Sequence, residues 1–166
     1  MAKIQADDGI SLKISDWMKK LKNFLIITGP AGTGKTYLCA AMMAHLKQKV
    51  NHFRAYNERE LLKRIREGFS DSSSGDYIDH LHYLIDDQLI IIDDFGSSGH
   101  TDWREEVLFE AIDFRYNSML PTIITSNLSK DEVYSTYGQR IHSRMFAKEN
   151  TIIDMEGLPD MREYGD

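Results

Sequence analysis

The sequence has little of what defines several protein classes. One cysteine, Cys39, stands among 166 residues, so an internal disulfide is impossible and a disulfide-stapled secreted fold is excluded. Three prolines and 11 glycines are too few for a collagen-like or low-complexity chain. No apolar run approaches the roughly 18 residues that cross a bilayer. The N-terminal MAKIQADDG carries acid where a signal peptide has its apolar stretch. Basic residues are not in excess either. Twenty Lys and Arg against 26 Asp and Glu leave a formal charge of -6, which confines any nucleic-acid contact to a local patch. What is present, 42% hydrophobic and 28% charged residues, is the balance of a globular protein. The expectation is a cytoplasmic single domain without a membrane segment.

Period and punctuation predict five strands: Phe24 to Thr28, His52 to Tyr56, Leu89 to Asp93, Thr122 to Ser126 and Thr151 to Asp154. FLIIT, LIIID and TIITS are nearly continuous apolar and β-branched runs, as in strands covered on both faces. Helical spacing predicts helices over Lys35 to Gln48, Glu58 to Glu67 behind Asn57 as N-cap, and Asp102 to Ser118 with Val107, Leu108, Ala111 and Ile112 inward. SDSSSGD, residues 70 to 76, reads as a polar surface turn. Strand and helix in alternation give a parallel sheet in a three-layer αβα sandwich.

After the first strand comes Gly29-Pro30-Ala31-Gly32-Thr33-Gly34-Lys35-Thr36, a full phosphate-binding P-loop. Its glycines let backbone N–H groups turn inward around phosphate oxygens, and the next helix points its positive end at the same anion. Lys35 is expected on the β- and γ-phosphates, the Thr36 hydroxyl on magnesium, and the loop through Tyr37 around ATP. A second apolar strand ends in Asp93 and Asp94. Asp93 is placed to hold magnesium and Asp94 to polarise an attacking water. A third strand ends in Asn127, which alone would be a turn or cap residue; beside the two motifs it is expected to sense the γ-phosphate.

TGPAGTGKT, LIIIDDFG, PTIITSNL and YGQRIHSRMF, in that order, resemble the AAA+ ATPase core of DnaC-type helicase loaders and their IstB and DnaA relatives. The resemblance covers about residues 20 to 155. It implies strand order 5-1-4-3-2 and a core at 24–155 between a flanking segment (1–23) and a tail (156–166), and the dozen or so residues after the last strand depart from the family in leaving no room for a lid domain. It also implies Asp94 as catalytic base, Asn127 as sensor, and Arg140 and Arg144 on the arginine-finger helix. Arg144, after Ser143, is favoured as the finger, with Arg140 one turn earlier in support. A finger acts on a neighbour's nucleotide, so ATP-dependent self-assembly is implied, with a replicative DNA helicase and single-stranded DNA as partners. Asp94 departs from the Glu of many AAA+ enzymes. The absence of a lid leaves Arg162 as a weak substitute for its arginine, and the brevity of the chain suggests a phage or mobile element.

Other readings stay open: an IstB-like transposition helper, a small-molecule kinase, or a decoy that binds without hydrolysis. Trp17 beside Lys19, Lys20 and Lys22 could stack bases, but docking of Trp17 and Leu21 on the core is favoured. His80 and His82 lack a third ligand, and Cys39 reads as packing.

Overall fold

The structure is a computed structural model that describes residues 8–70, 76–99 and 101–164. In chain order it contains α1 (Asp8–Lys20), β1 (Phe24–Thr28), α2 (Lys35–Leu46), β2 (Phe53–Asn57), α3 (Glu58–Ser70) and α4 (Asp76–Ile85). β3 (Leu89–Phe95), α5 (Asp102–Asn117), β4 (Thr122–Ser126), α6 (Lys130–Met145), β5 (Thr151–Asp154) and a 3-10 turn (Met161–Tyr164) follow. The strands form one parallel sheet in the order β2-β3-β4-β1-β5, the expected order read from its other edge.

Successive side chains of a strand point to opposite faces, and here both faces are covered. Leu25 and Ile27 enter one cluster with Ile14 and Trp17 of α1 and Met42 and Leu46 of α2. Phe24 and Ile26 enter the other, with α3 to α6. Trp17 is 2% exposed and donates its indole N–H to Asn23 O, so docking on the core, not base stacking, is its role. Cys39 is buried among the same apolar side chains, which pushes its thiol up to about 12.

Local signals account for the helix starts. The Asn57 side chain accepts from Glu60 N at 2.8 Å, Thr101 accepts from Arg104 N, and Ser129 forms a capping box with Glu132. Several boundaries differ from expectation, among them the end of α3, three residues later at Ser70, and of α5, one residue earlier at Asn117. β2 lies one residue later, because the half-exposed FRAYN has no sharp apolar edge. α2 stops at Leu46, and β3 runs on to Phe95 through a register shift between Ile92 and Phe95. Of the polar turn predicted over 70 to 76, residues 71–75 lie outside the described residues. Among the described residues no helix is long and apolar enough to cross a membrane.

Arg115 of α5 is the largest fully buried side chain among the described residues. Its guanidinium donates to Thr122 Oγ1 at 2.7 Å, Pro121 O at 2.7 Å, Asp87 O at 3.0 Å and Ile85 O. Burial lowers its pKa to about 10, against Asp87 and Asp86, so the cation persists at neutral pH. One side chain therefore ties the end of α4 and the turn before β3 to the start of β4. Arg115→Met, which matches the stem but leaves these acceptors unpaired, should lower the unfolding free energy by about 3 kcal/mol, as measured in urea.

Candidate functional site

All five strands point their C-terminal ends at one edge, and there the loop between β1 and α2 forms one wall of a cavity of about 860 Å³. Gly32 and Gly34 hold φ of 85° and 91°, values an L side chain resists, which curls the loop and aims its N–H groups along the start of α2. Lys35 is 8% exposed and its ammonium donates to Gly29 O and Pro30 O, each at 2.6 Å. Burial lowers its pKa, and Asp94 and Asp93 oppose that shift.

The central feature is a chain of hydrogen bonds across the strand ends. Thr36 Oγ1 donates to Asp93, 3.0 and 3.2 Å from its two carboxylate oxygens. Thr125 Oγ1 donates to Asp93 Oδ1 at 2.5 Å and accepts from Asp94 N at 2.9 Å. Asn127 Nδ2 donates to Asp94 Oδ1 at 3.0 Å. Asp94 sits at the irregularity of β3 with φ 58°, an uncommon conformation for a non-glycine residue, at the point where the strand breaks register.

Lys35, Thr36, Asp93, Asp94 and Asn127 thus converge on one cavity, which Ala31, Gly32, Gly34 and Tyr37 also line. Gly29 and Pro30 face a separate space of about 120 Å³ behind the loop. Thr33 is turned inward, its hydroxyl donating to Pro30 O at 2.9 Å, and it braces the loop. Arg140 and Arg144 are not among the cavity-lining residues. The Arg140 guanidinium lies 3.7 Å from the Phe109 ring centroid, and Arg144 Nε donates to Asp113 Oδ1 at 2.8 Å. Both lie against α5 on the half of α6 that follows a break at Gly138 (φ 70°).

Sequence reasoning missed several contributors. Thr125 is one hydroxyl in an apolar strand, with no outward signal. Glu58, the first residue of α3, is 0% exposed and accepts from Gly96 N at 2.5 Å and Ser98 N at 3.3 Å. Burial raises its pKa, while the Gly96 and Ser98 bonds oppose the rise. Tyr137 OH also donates to Glu58, at 3.5 Å, so this carboxylate links the loop after Asp94 to α6. The C-terminal turn closes another wall. Met161 N donates to Gly32 O at 2.9 Å, and Met161 and Arg162 line the cavity. A Cβ on Gly32 would collide with the Asp160 carboxylate, which two Arg162 nitrogens hold down to a pKa of about 2. Spacing alone could not show that this tail returns to the loop.

The residues present suit a magnesium nucleotide. A hydroxyl and a carboxylate are hard oxygen donors, and Mg²⁺ takes few protein ligands beside water and phosphate. Among the described residues no group of three His, Cys, Asp or Glu forms a metal site of its own.

Comparison with known proteins agrees with this geometry. Residues 5–146 match the family described as IstB-like ATP binding protein. The replicative helicase loader DnaI of Bacillus subtilis is 29% identical over 119 residues, 70% of this chain and 37% of that protein. A Mycobacterium tuberculosis insertion-sequence protein named as ATP-binding is 28% identical over 114 residues, 68% of this chain and 44% of that protein. The chain thus spans less than half of these two relatives. A crystal structure of the DnaC helicase loader matches with a TM-score of 0.75 at 21% identity, covering 92% of this chain and 91% of that one. The fold is therefore the AAA+ fold that the motifs suggested.

Thr125→Val is nearly isosteric and deletes the bonds to Asp93 Oδ1 and Asp94 N together. It should lower the unfolding free energy by about 1–3 kcal/mol in urea. It should also raise the Mg²⁺ concentration needed for tight ATP binding in a nucleotide titration.

Proposed function

Because the chain belongs to the IstB-like ATP binding protein family, we propose that it is an AAA+ ATPase of the helicase-loader type. In this reading it works in the cytoplasm and assembles through ATP held between subunits, on a replicative DNA helicase and single-stranded DNA. The observation that carries the reading is the hydrogen-bonded series Thr36, Asp93, Thr125, Asp94 and Asn127 facing one cavity beside a buried lysine. That series distributes the tasks of phosphoryl transfer to water over separate side chains.

Lys35 exchanges two carbonyls for phosphate oxygens, which relieves an ammonium that burial disfavours. Thr36 and Asp93 hold Mg²⁺, whose chemistry when bound is to neutralise charge developing on the phosphates. Asp94, oriented by Asn127 and by its own N–H on Thr125, accepts a proton from water. Asn127 reports the γ-phosphate to α6, which begins three residues later at Lys130. Arg144 leaves Asp113 to stabilise transition-state charge on a neighbouring subunit's nucleotide, with Arg140 beside it. Asp113 holds this arginine in the isolated chain, so a lone subunit is expected to turn over slowly.

The match to the insertion-sequence protein supports a second reading, a transposition helper that puts the same ATPase core at the service of a transposase. The partner retained by the ATP-loaded protein, helicase or transposase, separates the two.

A mixing experiment tests the shared core. Lys35→Ala should fail to bind ATP, and Arg144→Ala should bind it with turnover reduced about a thousandfold. Mixed in equal amounts they should regain turnover, since each Lys35→Ala subunit brings an intact finger to a loaded Arg144→Ala site. A mixture as inactive as its components contradicts action between subunits.

A further inference from the structure

The part of the chain that holds α1, β1, α2 and β2 is basic. Between residues 9 and 57 eight Lys and Arg stand against the single acid Asp16, a net of +7 in a chain whose total is -6. Of these, Lys35 belongs to the nucleotide site. Most of the others gather elsewhere.

α1 and α2 share one apolar cluster on one face of the sheet. α2 starts at the phosphate loop and runs away from it, and α1 ends just before β1 begins, so both helices finish at the edge opposite the cavity. Lys19 and Lys20 close α1, Lys22 follows, and Lys47 and Lys49 follow α2. Between the helices runs a groove of about 550 Å³, lined by Ser11, Ser15 and Lys19 on one side and His45 and Lys49 on the other. Lys20, Lys22, Lys47 and Lys49 are exposed. Among the described residues none of these four makes an ion pair. Lys19 meets Asp16 at 3.4 Å, with both side chains more than 60% exposed. Lysines at helix C-termini complement the macrodipole. That accounts for Lys19, Lys20 and Lys47 but not for Lys22 and Lys49, which lie beyond the last turns.

We propose that this edge, at the far end of the sheet from the nucleotide, is a contact surface for the sugar–phosphate backbone of single-stranded nucleic acid. Exposed lysines without ion pairs favour a polyanion even with Asp86, Asp87 and Glu149 at the strand starts of the same edge, and flexible lysine point charges suit phosphates without reading bases. Trp17, the one aromatic between residues 9 and 23, is buried and offers no stacking platform. Phosphate contacts of this kind carry no base sequence information and weaken steeply with salt. The inference rests on the DNA-binding part of the loader reading and names the surface that part uses.

The test is anisotropy of a labelled single-stranded oligonucleotide titrated with the ATP-loaded protein at several salt concentrations. In the quadruple variant Lys20→Ala, Lys22→Ala, Lys47→Ala and Lys49→Ala, affinity at low salt should fall at least tenfold. The slope of log affinity against log salt should become shallower by about 3, at about 0.7 for each phosphate that a lysine no longer neutralises. The corresponding four Lys→Arg substitutions should keep both. Unchanged affinity and slope in the alanine variant overturn the proposal, as does a wild type that binds no oligonucleotide. Loss of a protein partner with DNA binding intact also overturns it and makes the edge a protein contact. ATP affinity and turnover of the alanine variant should match wild type. Absent turnover in the wild type itself would instead count against the ATPase reading, independently of this surface.

Discussion

Parallel pairing in the middle of the sheet is the constraint on which the rest depends. β1 pairs with β4 so that Thr28 lies opposite Ser126, and β3 pairs with β4 until the irregularity after Ile92. Because the strands run the same way, the phosphate loop, the acidic pair and Asn127 reach one edge. Their hydrogen bonds then connect three strands rather than one loop. A sheet with β3 reversed would send its acidic pair to the opposite edge and leave Lys35 buried without carboxylates nearby. The break in β3 adds a second requirement. By holding Asp94 at positive φ it separates two consecutive acids, one toward Thr36 and one toward Asn127.

A polar route leads from this edge to α6. Glu58 receives the N–H groups of Gly96 and Ser98 and the hydroxyl of Tyr137, the residue before the break at Gly138. Beyond that break Arg140 and Arg144 lie against Phe109 and Asp113 of α5. A buried, hydrogen-bonded carboxylate thus stands between the loop after Asp94 and the helix that carries both arginines. The C-terminal turn meets the other side of the same edge, where Asp160 packs against Gly32.

The fold was legible where physics leaves a one-dimensional trace. FLIIT, LIIID and TIITS are buried on both faces, and their composition says so. The phosphate loop was legible because glycine at Gly32 and Gly34 answers a backbone demand that spacing records. What escaped was pairing among polar atoms far apart in the chain. Arg115 reads as a surface residue of a helix until its four acceptors are placed around it, and Glu58 reads as an acid at a helix start until it is found buried. Thr125 carries no sequence signal, since a threonine in a strand is ordinary and only proximity to Asp93 and Asp94 gives it a task. Trp17 was ambiguous for the opposite reason. A tryptophan among lysines fits two settings, and burial decides between them.

Central to this account is a nucleotide site that is completed by a second subunit. Sedimentation velocity of the protein with Mg²⁺ and either a non-hydrolysable ATP analogue or ADP tests that claim most directly. The account predicts that the triphosphate shifts the protein into larger species as its concentration rises, while ADP leaves the smaller one. Identical sedimentation with both nucleotides, at concentrations where binding of each is saturated, would contradict it.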